Sequence, residues 1–183
     1  LTILKEAKQY AVLLLLPLLL CGMGPVVRSA LGPSWQTGFD PDYTYLFNGA
    51  LLAHGDKAYY SDHPGTTLHF FNAAAIATIH LCTGSDGLAE DVVRTPEHYI
   101  WCVNLAILAA TASAIFAAAI LVVRRTGVLT YGLLLQIGVL LSMAAVRASP
   151  RVSPEPALIG LALLTAAIVF YADPEAPQRE RLV

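Results

Sequence analysis

The chain has 183 residues, 56% of them hydrophobic and 13% charged, about half the charged share of an ordinary soluble domain. That composition excludes a water-soluble globule and makes lipid the solvent for much of the surface. A formal net charge of -2, with no run of five like charges, excludes an electrostatic nucleic-acid surface. Cys21, Cys82 and Cys102 lie in or beside apolar blocks. They form neither a metal-type pair nor an even disulfide set, and read as packing residues.

Apolar blocks near the ~20 residues that a spanning helix needs run from Tyr10 to Val27, Tyr99 to Val123, Gly127 to Val146 and Ala157 to Tyr171. Lys5 and Lys8 precede the first. Because further blocks follow, it reads as an uncleaved first helix rather than a signal peptide. Within residues 28–98, Asp40-Pro41-Asp42 is a helix-start signal. Tyr43, Leu46, Phe47, Ala50 and Leu51 follow at helical spacing, and Gly55 is a C-terminal cap. This predicts an amphipathic helix of about four turns, its apolar stripe suited to the membrane surface. A polar, aromatic and turn-forming stretch, Ala58-Tyr59-Tyr60-Ser61-Asp62-His63-Pro64-Gly65-Thr66-Thr67, leads into a fifth apolar block, Thr66 to Cys82. It is either a binding wall or an ordinary turn at a helix start.

The fifth block decides the threading. It contains His69, Asn72 and His80, which are costly at bilayer depth, so it is expected at the interface or packed against protein. Left out of the count, it places Lys5 and Lys8, Arg124-Arg125, and Arg179 with Arg181 on one side, as short positive loops require. The expected architecture is thus all-α and membrane-integral, with four spans, a long external loop over 28–98 and a short one over 147–156. Thr95-Pro96-Glu97 and Ser153-Pro154-Glu155 both read as helix starts. Ala106, Ala110, Ala114 and Ala118 recur every fourth residue, which allows close helix approach in a membrane or marks a merely Ala-rich span. Leu1 is not an initiator Met, and Val183 closely follows the last block. An incomplete chain is therefore expected.

The order of these features resembles a known family: a charged start, one span, the acidic motif Asp40-Pro41-Asp42-Tyr43-Thr44-Tyr45, the turn Asp62-His63-Pro64, then alternating spans with a second external loop. It looks like the N-terminal part of the GT-C membrane glycosyltransferases, in particular relatives of protein O-mannosyltransferases and of the lipid A aminoarabinose transferase. The resemblance implies an enzyme of the plasma membrane, in bacteria the inner membrane. Such an enzyme moves a sugar from a polyprenyl-phosphate donor to an acceptor hydroxyl on the external face. It places the catalytic acid on Asp42 or Asp40, with Asp42 favoured because Tyr45 follows at the expected spacing. A carboxylate there takes the proton of the attacking hydroxyl. The departing lipid phosphate calls for cations or other donors, with Arg147 and Arg151 as candidates and Arg28 as a weaker one. Tyr45, Asp62 and His63 complete the donor-binding candidates, and a divalent metal ion is compatible with the reading.

Plainer roles compete. Asp40 and Asp42 can serve the helix start alone, Arg147 and Arg151 can be interfacial anchors, and Glu97 and Glu155 read as first-turn residues. A transporter or non-catalytic membrane subunit fits the same spans. A zinc-dependent membrane hydrolase would draw on Asp62, His63 and His69, with His54 as a further ligand. His69 and His80 fall on one helical face but ~16 Å apart, too far to share an ion.

Overall fold

The computed structural model describes residues 2–36, 42–59 and 66–173. Asp40, Asp62, His63, Arg179 and Arg181 lie outside the described residues. The order is α1 (Thr2–Leu31), a 3-10 turn (Ser34–Gln36), α2 (Asp42–His54), α3 (Thr66–Thr83), α4 (Leu88–Arg94), α5 (Pro96–Thr126), α6 (Leu129–Leu140), α7 (Met143–Ala148) and α8 (Pro154–Ala172). The described residues contain no strand. Among the described residues, Tyr10–Leu31 of α1, α5 and α8 are the three helices long and apolar enough to cross a bilayer.

The expected fourth span, 127–146, is divided. α6 has 12 residues, about 18 Å of helix, against the ~30 Å of a hydrocarbon core. Ser142 makes the break: its Oγ accepts from Ala145 N at 3.4 Å and its carbonyl from Val146 N at 3.0 Å, starting α7.

Two compact units divide the chain, with boundaries inside α1 and α5. The first comprises Leu1–Met23, Leu108–Arg147 and Glu155–Val183, the second Gly24–Ile107 and Ala148–Pro154. In the first, Leu13, Ala119 and Val123 form one apolar cluster, and Leu20, Ile115, Val139 and Ala145 another. Pro17 has no N–H, so it leaves the Leu13 carbonyl without its partner one turn on. Gln136 of α6 supplies that partner, its Nε2 donating to Leu13 O at 2.9 Å. Small residues bring backbones close, as expected for part of the Ala series. A Cβ on Gly160 would lie 3.2 Å from Ala114 Cβ and 3.1 Å from Thr111 O. Ala118 is also buried, whereas Ala110 is exposed.

In the second unit α2 packs on α3 and α4. Gly55 closes α2 as the sequence predicts. With φ at 97°, it lets Gly55 N reach Leu52 O at 3.1 Å and Asp56 N reach Leu51 O at 2.9 Å, the paired pattern of a left-handed helix cap. Of the expected apolar stripe, Leu46 and Ala50 are buried with Leu68 and Ile76 of α3, while Phe47 is exposed; Tyr45, outside the stripe, is buried in the same cluster. A Cβ on Gly49 would sit 2.8 Å from Asn72 Cβ, which shows how closely the two helices approach. The polar side of α3 faces this contact. His69 lies against the Tyr45 ring at 5.2 Å between centroids, and Asn72 Nδ2 donates to Tyr45 O at 3.4 Å. Burial holds the His69 imidazole below its ordinary pKa, toward the neutral form. Phe70 and Leu81, in contrast, are exposed.

Helix α4, which no periodicity announced, is locked to the same unit by Asp91. Its Oδ2 accepts from Tyr99 Oη at 2.6 Å and lies 3.3 Å from His80 Nδ1. The Tyr99 hydrogen bond, with help from His80, holds the Asp91 carboxyl below its usual value against the opposing effect of burial.

Replacing Gln136 by Leu should cost about 1–2 kcal/mol, read as reduced resistance to denaturing detergent. In a Pro17→Ala background the restored N–H serves Leu13, and the same replacement should cost much less. Equal costs in both backgrounds would refute the clasp. For Asp91, a folded pKa below the unfolded one gives stability that is full above about pH 4 and lost as pH falls through the folded value. Tyr99→Phe should therefore lower the melting temperature at about pH 6, and the gap to the parent protein should narrow toward about pH 3.

Candidate functional site

All residues of the candidate site belong to the second unit. Arg28 stands in the last turn of α1, just before Gly32 and Pro33 end the helix. Arg28 is only 7% exposed, and a charge so placed must be matched. Nη1 lies 3.3 Å from Asp42 Oδ2 and donates to Pro150 O at 2.5 Å. Nη2 donates to Ser34 Oγ and lies 3.5 Å from Glu97 Oε2.

Asp42 is the first residue of α2 and is 3% exposed. Its role extends beyond the helix start. Oδ1 accepts from Val152 N at 2.6 Å, while Oδ2 faces Arg28 and the Ser34 hydroxyl, the latter at 3.3 Å. Glu97, in the first turn of α5, is likewise a tertiary partner. Its Oε1 accepts from Ser34 N at 3.0 Å and from Tyr43 Oη at 2.6 Å. Burial first, then the bond to Glu97, pushes the Tyr43 phenol up to about 12, so it is a neutral donor at physiological pH.

Residues 148–153 close the group from the far side in sequence. Asn104 Nδ2 donates to Ser149 O at 2.9 Å and to Arg151 O at 3.0 Å, while Arg28 and Asp42 take Pro150 O and Val152 N. The structure thus joins Asp42 to the segment carrying Arg151, whose side chain is exposed. Arg147 is exposed on α7 and belongs to the first unit. Tyr45 is 2% exposed and packs in the core of the second unit.

A cleft of about 540 Å³ opens beside this network, lined by Arg28, Ser29, Gly32, Glu97, His98, Trp101 and Cys102. Neither Asp42 nor Tyr45 lines it. In the sequence alone, Glu97 reads as a first-turn residue and Arg28 as a minor candidate. Their sequence separation hid the pairing, and the available signal was an Arg at a helix end bordering an apolar block. No group of three or more His, Cys, Asp or Glu able to hold a metal ion occurs among the described residues. Of the residues considered for zinc, His69 is buried against Tyr45 and His54 pairs with Asp56 at 2.9 Å.

Removing one member of the buried pair leaves the other uncompensated. Arg28→Leu should destabilise the protein by about 3–5 kcal/mol. The double variant Arg28→Leu/Asp42→Leu should recover a large part of that loss, although Val152 N then lacks its acceptor. Thermal melts of the single and double variants check this, and additive losses would refute the coupling.

Compared with known proteins, the chain matches no family model, and no curated protein or solved structure matches it.

Proposed function

We propose that the chain is part of a multi-pass plasma-membrane glycosyltransferase of the GT-C kind. It transfers a sugar from a polyprenyl-phosphate donor to an acceptor hydroxyl on the external face. The observation that carries this reading is the charged cluster of Arg28, Asp42 and Glu97 beside a cleft with an aromatic wall. This cluster lies in a chain whose described residues include three helices apolar enough to cross a bilayer. A lipid-linked sugar requires such a combination: carboxylates to handle a hydroxyl proton, a concave wall to orient the ring, and a route from lipid to polar chemistry.

In the proposed threading α1, α5, the divided α6–α7 segment and α8 cross the membrane, and residues 28–98 fold on the external side. Polar residues of α3 turned toward α2 support an α3 packed on protein. Arg151, on the segment that Asp42 holds, is the proposed cation for the leaving phosphate. The membrane is that of a cell envelope, in bacteria the inner one. One observation favours the alternative of a non-catalytic subunit or transporter: both oxygens of Asp42 are already engaged within the protein, as in a purely structural ion pair.

Single-turnover transfer by the full-length protein in liposomes separates the two readings. With a polyprenyl-phosphate sugar as donor, Asp42→Asn should slow transfer by about a hundredfold or more, with little change in helix content. Near-normal transfer by a folded Asp42→Asn protein would remove this network from the chemistry.

A further inference from the structure

Resting on the transferase reading, we propose that Glu97 is the carboxylate that takes the proton of the acceptor hydroxyl. Asp42 and Arg28 are positioning residues that act through it. The two acids differ in access. Asp42 does not line the cleft, is 3% exposed, and has Val152 N on Oδ1 with Arg28 and Ser34 on Oδ2. The Glu97 side chain is 38% exposed and lines the cleft.

Its two oxygens also differ. Oε1 is held by two good donors, Ser34 N and Tyr43 Oη. Among the described residues Oε2 has only long contacts, 3.5 Å to Arg28 Nη2 and 3.4 Å to Ser34 Oγ. A carboxylate oxygen at such distances keeps acceptor capacity for a further hydrogen bond. The first oxygen orients the group, and the second is available to substrate.

Charge decides which part of the substrate enters. Arg28 faces two carboxylates, so the cluster has an excess of negative charge and repels a phosphate. A neutral hydroxyl-bearing ring meets no such penalty, and Trp101, 44% exposed on the same cleft, offers it an aromatic face. The cleft is therefore the acceptor side of the reaction, and the lipid phosphate must be held elsewhere. As the acceptor oxygen bonds to the anomeric carbon, its proton passes to Glu97 Oε2. The bond from that carbon to the phosphate oxygen breaks, and its electron pair leaves on the polyprenyl phosphate. Glu97 later returns the proton to water.

The test uses full-length protein in liposomes, with undecaprenyl phosphate carrying mannose or aminoarabinose as donor and single-turnover transfer read across pH. Glu97→Gln keeps an oxygen for Ser34 and Tyr43, so its melting temperature should stay near that of the parent. Its transfer should fall by about a hundredfold or more, and the loss of rate on acidification should disappear. Added formate should restore transfer to Glu97→Gly, whose cleft is open to it, and leave Asp42→Gly unrescued. Asp42→Asn should be slow yet retain the loss of rate on acidification. If Glu97→Gln folds poorly, Glu97→Asp decides: slowed transfer that keeps the acid-side fall supports the assignment, and an unchanged rate overturns it. Near-normal transfer by Glu97→Gln, or formate rescue confined to Asp42→Gly, overturns the inference while leaving the transferase reading intact. A wild-type protein that moves neither sugar removes the reading itself, and the inference with it.

Discussion

A guanidinium buried beside apolar helices must have its charge and its N–H groups matched, and in this protein Arg28 imposes that requirement. Its partners come from the turn after α1, the first residue of α2, the first turn of α5 and the connection between α7 and α8. Satisfying one side chain therefore fixes the placement of four chain segments. A buried ion pair contributes little net stability compared with well-packed apolar residues. Its value here is geometric, because few other arrangements of these segments supply two carboxylates, a hydroxyl and a carbonyl to one guanidinium.

The second constraint is the scarcity of water along the long helices, where every polar backbone group needs a protein partner. Pro17 breaks that rule locally and Gln136 repairs it. The same logic applies to α3, whose His69 and Asn72 turn toward α2 and leave Phe70 and Leu81 outside. His69 Nε2 and Asn72 Oδ1 nevertheless find no partner among the described residues, so this contact is less completely satisfied than the Arg28 cluster.

Much of the fold is legible in the sequence because helix ends are written in local chemistry. Pro96 and Pro154 open α5 and α8 as expected, and Gly55 closes α2. The apolar blocks mark α1, α5 and α8. Less legible is whatever depends on distant residues. The interruption at Leu141 and Ser142 lies inside a block that reads as one apolar span, and the burial of Leu46 and Ala50 of α2 needs α3 as its partner. Glu97 looks like a first-turn acid until Ser34, Tyr43 and Arg28 are placed around it. Asp42 was legible as the acid to watch, but its enclosure was not, since Val152 is 110 residues away in sequence.

The connection between α7 and α8 is gripped through its main chain. Asn104 takes the carbonyls of Ser149 and Arg151, Arg28 takes that of Pro150, and Asp42 takes the amide of Val152. Main-chain atoms are common to all residues except for the missing N–H of proline. These contacts are consequently indifferent to which side chains the gripped residues carry, so the turn keeps this main-chain anchorage through substitutions that would break a side-chain contact.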